Sequence, residues 1–427
     1  MSAADIRGGA ALVVFLATVA AIVMRPSKVQ EWLAGTVGVI AMLAFGVESP
    51  ADAWQAVASQ WNVLLFFAGL MTIVAIAESA GFFSWIAFVA ARAAQGSARR
   101  LFVAVMVSCA CITALLTNDA AALVMTPLIF SLASGLRLRP LRYAFACTFM
   151  ANGASVLLPI SNPVNVMIAN AATLPLSQYL SILWLPGIAA AVATGAMLWV
   201  VLGRRIRRRF DESMVAEPEG DPRYRSEVVW LLLLIAGSLI AVTAERGAVG
   251  IAACCGAVVL IAHGVLRGRL QPRRVFNDAN PGIVVLVAAL FALAEGVVKS
   301  GLLSWPTQSL VRISDMHVEL AGVAAALATA VGSNILNNLP TAALAAAALH
   351  HAPITVAIEH RIAAGTIVGC DLGPNLTTVG SLSTLVWLVL LRRRGLEVSP
   401  LEYSKVGLLI APVAIAAAVS ALWFTTR

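Results

Sequence analysis

Charge is what this sequence has least of. Only 12% of its 427 residues are Asp, Glu, Lys or Arg, against ~25% in a typical soluble domain. Meanwhile 60% are hydrophobic and the mean hydropathy is +0.90. That shortage excludes an ordinary soluble globule. Many apolar runs approach the ~20 residues that cross a bilayer, so the expected class is an all-α polytopic membrane protein. Histidine is also scarce: His263, His317, His350, His351 and His360 lie mostly in loop or interface regions, and none has metal-ligand spacing with another donor. The six cysteines, Cys109, Cys111, Cys147, Cys254, Cys255 and Cys370, all fall in apolar runs, which suits packing and not a disulfide framework or a closed zinc site. The net charge of +8 is no nucleic-acid footprint, because Lys and Arg sit in short loops. Residues 10–24 are followed by basic residues without an A-x-A-like cleavage site, so they are expected to be a first span and not a signal peptide.

The basic loops orient the chain. Lys and Arg concentrate at 25–31, 92–100, 135–142, 203–227, 266–280 and 392–395, and such loops face the cytoplasm. The loop 48–62 has acids and no Lys or Arg. Residues 8–24, 32–47, 63–79, 182–202, 228–242, 248–265 and 281–297 read as spans. Residues 81–94 form a shorter segment with a basic tail, read as a helix lying at the interface. Five of the six residues from Arg204 to Arg209 are Arg; they read as a positive-inside anchor or as a docking site for a cytoplasmic partner.

Two long apolar runs are broken by polar residues. The run 101–135 is interrupted at Thr117-Asn118-Asp119. Its two arms are short for a crossing and basic at both ends, so it is expected to be a re-entrant hairpin. The run 143–172 is interrupted at Pro159-Ile160-Ser161-Asn162-Pro163, with Asn165 just beyond. Both features recur half a chain later. Leu336-Asn337-Asn338-Leu339-Pro340 echoes the first tip, inside a second hairpin over 319–349. Cys370-Asp371-Leu372-Gly373-Pro374-Asn375-Leu376-Thr377 echoes the break, and Lys299-Ser300-Gly301-Leu302-Leu303-Ser304-Trp305 echoes Ser79-Ala80-Gly81-Phe82-Phe83-Ser84-Trp85. With the basic loops inside, the two copies run in opposite directions. The expectation is an inverted-topology repeat with about ten transmembrane helices, two opposed re-entrant helical hairpins, two broken helices and two interfacial helices.

Hydrocarbon offers no partner to a free backbone N–H or C=O, so broken helices at membrane depth must be buried or line a cavity. Helix ends there supply N–H donors and partial charge. Amides and hydroxyls at the same places make Thr117, Asn118, Ser161, Asn162, Asn165, Asn337, Asn338, Asn375 and Thr377 the candidate substrate-binding residues, with Asn334 either a ligand or a cap. Ionisable groups at this depth default to function: Asp119 and Asp371 are either proton-coupling residues or carboxylate caps. Glu78 and Glu295 lie near span ends, and Lys299 or Arg361 would neutralise an acid nearby. The Asp119/Asp371 pair is also the one candidate for an intramembrane enzyme, but no nucleophile accompanies it, so no enzyme is expected.

Four phrases, LLTNDAAALVMTP (115–127), NGASVLLPISNPVNVMI (152–168), GSNILNNLPTAA (332–343) and GCDLGPNLTTVGSLSTLVW (369–387), resemble the ArsB arsenite permeases of the ion-transporter superfamily, over essentially the whole chain. The resemblance implies a bacterial inner-membrane exporter of arsenite and antimonite, exchanging the metalloid for protons without a cofactor or resident metal. It also implies pairing with a cytoplasmic ArsA-type ATPase. It implies a transport domain of 96–172 and 317–391, sliding as an elevator beside a scaffold of 1–95, 173–316 and 392–427. Related symporters carry Ser-Asn-Thr at both tips; this chain has Thr-Asn-Asp and Asn-Asn-Leu-Pro, and an acid at the tip disfavours a dianion. Neutral arsenite trihydroxide suits amides and hydroxyls. Thiols are its soft ligands, with Cys370 the candidate among Cys109, Cys111 and Cys370. A sodium/proton antiporter and a passive metalloid channel are the alternatives.

Overall fold

A computed structural model describes residues 3–24, 30–206, 209–244, 248–279, 281–301, 312, 317–351, 354–392 and 394–426. Among these, every regular element is helical, and the one bridge is an isolated contact of Ser97 with Arg209. In order the helices are α1 Ala3–Met24, α2 Glu31–Ala44, α3 Pro50–Ser59, α4 Trp61–Ser79, α5 Phe82–Ala93, α6 Ala98–Leu115 and α7 Thr126–Gly135. Then follow α8 Pro140–Gly153, α9 Pro163–Ala171, α10 Leu176–Val201, α11 Pro222–Ala244, α12 Val249–Leu266, α13 Pro272–Asp278 and α14 Gly282–Lys299. The last are α15 Val318–Leu336, α16 Asn338–His351, α17 Val356–Leu372, α18 Leu382–Arg392 and α19 Pro400–Thr425. Eight of them (α4, α6, α10, α11, α12, α14, α15 and α19) are long and apolar enough to cross a membrane. The multi-pass class expected from composition is therefore what the chain folds into. The second interfacial helix, expected after Gly301, lies outside the described residues.

Helices without water between them gain from close van der Waals contact, and small residues permit it. Along α15 and α17 the backbones nearly touch. A Cβ added at Gly365 would collide with the carbonyl oxygen of Gly322, and one at Gly369 with that of Ala326. An aromatic cluster ties α8, α18 and α19 together. Phe145 lies 5.2 Å from Trp387 and Phe149 lies 5.1 Å from Tyr403, centroid to centroid. The Trp387 indole donates to the Ala144 carbonyl at 3.2 Å, giving a buried polar atom its partner. The Arg-rich loop folds back on the base of α6: the Arg99 Nε–H donates to the Ile206 carbonyl at 2.6 Å, and the Phe210 N–H to that of Gly96 at 2.9 Å.

The first break starts earlier than the sequence suggests. Helix α8 stops at Gly153, ahead of Pro159. Ser155 donates its hydroxyl to the Asn152 carbonyl at 2.8 Å, supplying a donor the continuing helix would have supplied. Two short 3-10 turns, Ser155–Leu157 and Pro159–Ser161, are separated by extended Leu158. Asn162 then caps α9 by accepting the Val164 N–H at 3.1 Å, with Pro163 in the first turn. The second break is simpler: α17 ends at Leu372, one 3-10 turn spans Gly373–Asn375, and α18 begins at Leu382.

Candidate functional site

The two breaks face each other, and polar side chains bridge them. Asp371, at the end of α17, is 1% exposed. It accepts from the Asn162 amide at 2.6 Å and from the Asn165 amide at 3.1 Å. Asn165 also donates to the Ser155 carbonyl at 2.8 Å, so α9 holds the preceding turn and the opposite half together. A second bridge lies alongside. The Asn152 amide donates to Asn375 Oδ1 at 2.9 Å, and the Asn375 amide donates to the Phe149 carbonyl at 3.3 Å. These groups are buried, where an unmade hydrogen bond is costly.

The tips join the same region by different means. After α6 the chain turns at Leu116 and Thr117 and re-enters helix at Asn118, which continues as a wide π turn over Ala120–Met125, a distortion frequent at functional sites. Thr117 donates to Asn118 Oδ1 at 3.3 Å, and Ser161 donates to the Ala114 carbonyl at 3.3 Å. Asp119 receives the hydroxyl of Ser383, from the first turn of α18. The second tip is a single residue, Asn337, at φ +80° and ψ 155°, a strained conformation that glycine alone adopts readily. Its amide donates to the Val379 carbonyl at 2.8 Å, and the Asn338 N–H donates to Gly380 at 2.9 Å. Asn334 binds the Gly373 carbonyl at 2.8 Å and accepts from Thr377 at 2.8 Å. It thus acts as a tie between hairpin and break.

A cavity of 390 Å³ opens where these pieces meet. Its walls are Asn118 and Asp119 from the first tip, Asn162, Pro163 and Val164 at the start of α9, Asn338 and Leu339 from the second tip, and Ser381 and Ser383 before and at the start of α18. The first turns of α2 (Glu31, Trp32) and α14 (Gly282, Ile283, Leu286) form its mouth. A second cavity, of 310 Å³, reaches Pro159 and Ile160 and is lined by Asn62, Asn170, Thr173 and Thr243 among others. The break segment 159–163 separates the two.

Of the residues picked from sequence, Asn118, Asp119, Asn162 and Asn338 line the first cavity. Thr117, Ser161, Asn165, Asn337, Asn375 and Thr377 stand behind its wall, tying it together. Asp371 is also behind the wall, in contact with the cavity through Asn162. Three thiols do not converge there: Cys370 is buried against Ser333 and Thr329, Cys109 pairs with Cys147, and Cys111 is exposed. Lys299 is paired with Asp52. Glu78 is exposed in the last turn of α4. Several contributors escaped the sequence reading, Gln30 and Glu31 among them. Asn152 and Ser155 lie within the phrase 152–168, and a lone amide in an apolar run was the available signal. Ser381 and Ser383 look like any serines of a short loop.

A family model described as "Citrate transporter", CitMHS, matches residues 16–368. An arsenical pump membrane protein of Escherichia coli is 29% identical over 412 residues, covering 93% of this chain and 94% of that protein. One from Yersinia enterocolitica is 29% identical over 408 residues, with the same coverage. These are the proteins to which the four phrases pointed. Among solved structures, the YdaH transporter of Alcanivorax borkumensis, described as having an unusual topology, shares the fold with a TM-score of 0.58. It is 14% identical, with 90% of this chain and 88% of that chain covered.

Proposed function

The chain belongs to the CitMHS citrate transporter family, and from that membership and the cavity we propose that it is a secondary transporter moving arsenite and antimonite out of the cytoplasm in exchange for protons. The observation that carries this reading is the lining of the cavity. Among the described residues it holds amides, hydroxyls and two carboxylates, Asp119 and Glu31, and no Lys, Arg or His. A citrate anion brought against Asp119 would meet like charge, which is costly at low dielectric. Neutral arsenite trihydroxide, a small donor and acceptor, meets partners of both kinds. The names of the similar proteins agree with that choice over citrate.

On this reading the basic loops lie in the cytoplasm of a bacterium, in its inner membrane. The shorter apolar helices and the two broken helices bring the crossings to about ten. Helices α6–α7 and α15–α16 are opposed re-entrant hairpins of an inverted repeat. Residues 96–172 and 317–391 move as an elevator against the remainder. The cavity mouth, between the first turns of α2 and α14, then opens to the cytoplasm, and the 310 Å³ cavity opens outward. Asn118, Asn162 and Asn338 hold the substrate. Asp119 carries the exchanged proton in contact with the cavity, and Asp371 senses it through Asn162. Each charge moving inward supplies about 2.3 kcal/mol per 100 mV. The loop 203–227 is the surface on which an ArsA-type ATPase would dock.

Everted membrane vesicles carrying the protein test the reading. Imposing an acid interior should drive arsenite accumulation, and an ionophore should abolish it. Equilibration without regard to the gradient would mean a channel. Sodium-driven pH changes without arsenite movement would mean a sodium/proton antiporter, with Asp119 and Ser383 as the oxygen donors.

A further inference from the structure

A buried acid sits at the opposite end of the helices that form the cavity mouth. Glu48 lies in the turn between α2 and α3, outside the spanning segments. It is only 6% exposed, and neither of its carboxyl oxygens has a hydrogen-bond partner among the described residues. Its carboxyl carbon is 3.5 Å from where a Cβ would stand on Gly296, in the last turns of α14. Among the described residues, the charged groups around it come from two elements. From α3, Asp52 pairs with Lys299 of α14 and takes the Ser49 hydroxyl at 2.7 Å. From α14, Glu295 approaches the same Lys299 at 3.9 Å. At its last turn α2 contributes no charged side chain, and Arg7 of α1 and His350 of α16 are exposed.

A buried carboxylate without a donor or a dedicated cation is strongly disfavoured. The local cation is engaged elsewhere: Lys299 and then Ser49 hold Asp52 down at about 2, so Asp52 is ionised and keeps the ammonium. We propose that Glu48 is a proton-binding site, distinct from the transport cavity, at the far end of the α2–α14 pair. Burial first, then Glu295 and Asp52, pushes its carboxyl up to about 7 despite Lys299.

The proton has a route to influence transport. Helices α2 and α14 pack closely, with Trp32 against Gly282 at the mouth, and Ala289 and Leu286 against Gly35. Losing the Glu48 proton places an uncompensated charge between the far ends of the same two helices. That end faces outward in the topology proposed above, so Glu48 would respond to the external pH. Only the sidedness rests on that topology; the proton site does not.

Thermal unfolding of the purified full-length protein in detergent, across pH 4.5 to 8, tests it. A carboxyl raised in the fold binds more protons when folded, so its contribution to stability falls as pH rises from 4.5 to about 7 and is flat above. The wild-type Tm should therefore fall relative to that of Glu48→Gln through this window. Glu295→Gln should move the wild-type drop to lower pH. Parallel wild-type and Glu48→Gln curves would overturn the proposal, as would a drop that Glu295→Gln leaves in place. A difference appearing only with added sodium would overturn it in favour of a metal cation. Should Glu48→Gln not fold, the Glu295→Gln shift decides alone. No metalloid is present, so the outcome is independent of the export reading.

Discussion

Asp119 and Asp371 are two acids in apolar surroundings, contributed by opposite halves of the chain, and they are held very differently. Asp371 is sealed: two amides reach its oxygens, one from the cap of α9 and one a turn further on. Asp119 lines the cavity, is half-buried, and receives one hydroxyl, that of Ser383. An ionised carboxylate accepts at about four positions. At Asp371 the protein fills several of them; at Asp119 it leaves most to whatever enters. The contrast separates a carboxylate bonded into the fold from one that lines a cavity, although both looked alike as acids in apolar runs.

Breaking the sealed acid should have the largest effect. Asp371→Ala leaves the buried Asn162 amide without an acceptor, at a cost of about 1–3 kcal/mol, and leaves the Asn165 amide with the Ser155 carbonyl alone. Little folded protein should survive detergent extraction, and size-exclusion profiles with Tm will show it. Asp371→Asn keeps one acceptor oxygen and should retain folded protein at lower Tm. If Asp371→Ala matched the wild type in stability, the two acids would not differ as described. Asp119→Asn should come next. Its Tm should stay close to wild type, a change of about 1 kcal/mol or less for one half-buried hydrogen bond. Under the proposed exchange, accumulation of arsenite against a gradient should nevertheless vanish in everted vesicles. Retained uphill transport would remove Asp119 from the proton role.

Asn162 connects the two acids' territories, because it caps α9, donates to Asp371 and lines the cavity. Asn162→Ala should weaken the half-saturation for arsenite roughly tenfold, equivalent to about 1.4 kcal/mol. It should also lower stability by about 1–2 kcal/mol through the lost cap. A change in Tm with unaltered half-saturation would make Asn162 a structural tie like Asn152 and Asn375.

The membrane class was legible because it rests on composition, and both tips were legible because Thr117-Asn118-Asp119 and Asn337-Asn338 interrupt apolar runs. The true start of the first break was not. Gly153 and Ala154 look like continuing helix. Where the helix ends, the Ser155 hydroxyl bonds the Asn152 carbonyl and Thr194 packs closely on Gly153, and neither is a local signal in hydropathy. The pairings were beyond reach for a different reason. Asn162 meets Asp371 across 209 positions and Asn152 meets Asn375 across 223, so each needs the whole fold to become neighbours. Of the nine amides and hydroxyls expected as ligands, Asn118, Asn162 and Asn338 line the 390 Å³ cavity and the other six do not. Sequence marks polar groups at breaks, but it does not distinguish those that saturate one another from those left facing a cavity.

Ser383 offers the finest test of the contrast, and the smallest effect. It makes the one hydrogen bond to the Asp119 side chain among the described residues, and it belongs to the first turn of α18, beyond the second break. If Asp119 is placed for a ligand and not for the fold, removing the Ser383 hydroxyl should cost little. Water in the cavity replaces a hydroxyl at a net loss of about 0.5–1.5 kcal/mol. Ser383→Ala should accordingly slow arsenite uptake by less than about tenfold and leave the unfolding temperature nearly unchanged. Ser383→Thr, which keeps the hydroxyl, should recover most of the rate. Should Ser383→Ala instead abolish uphill uptake as fully as Asp119→Asn, the hydroxyl would be part of the same functional unit. The first tip would then depend on its bond to α18 as tightly as Asp371 depends on α9, and the distinction between the open and the sealed acid would fail.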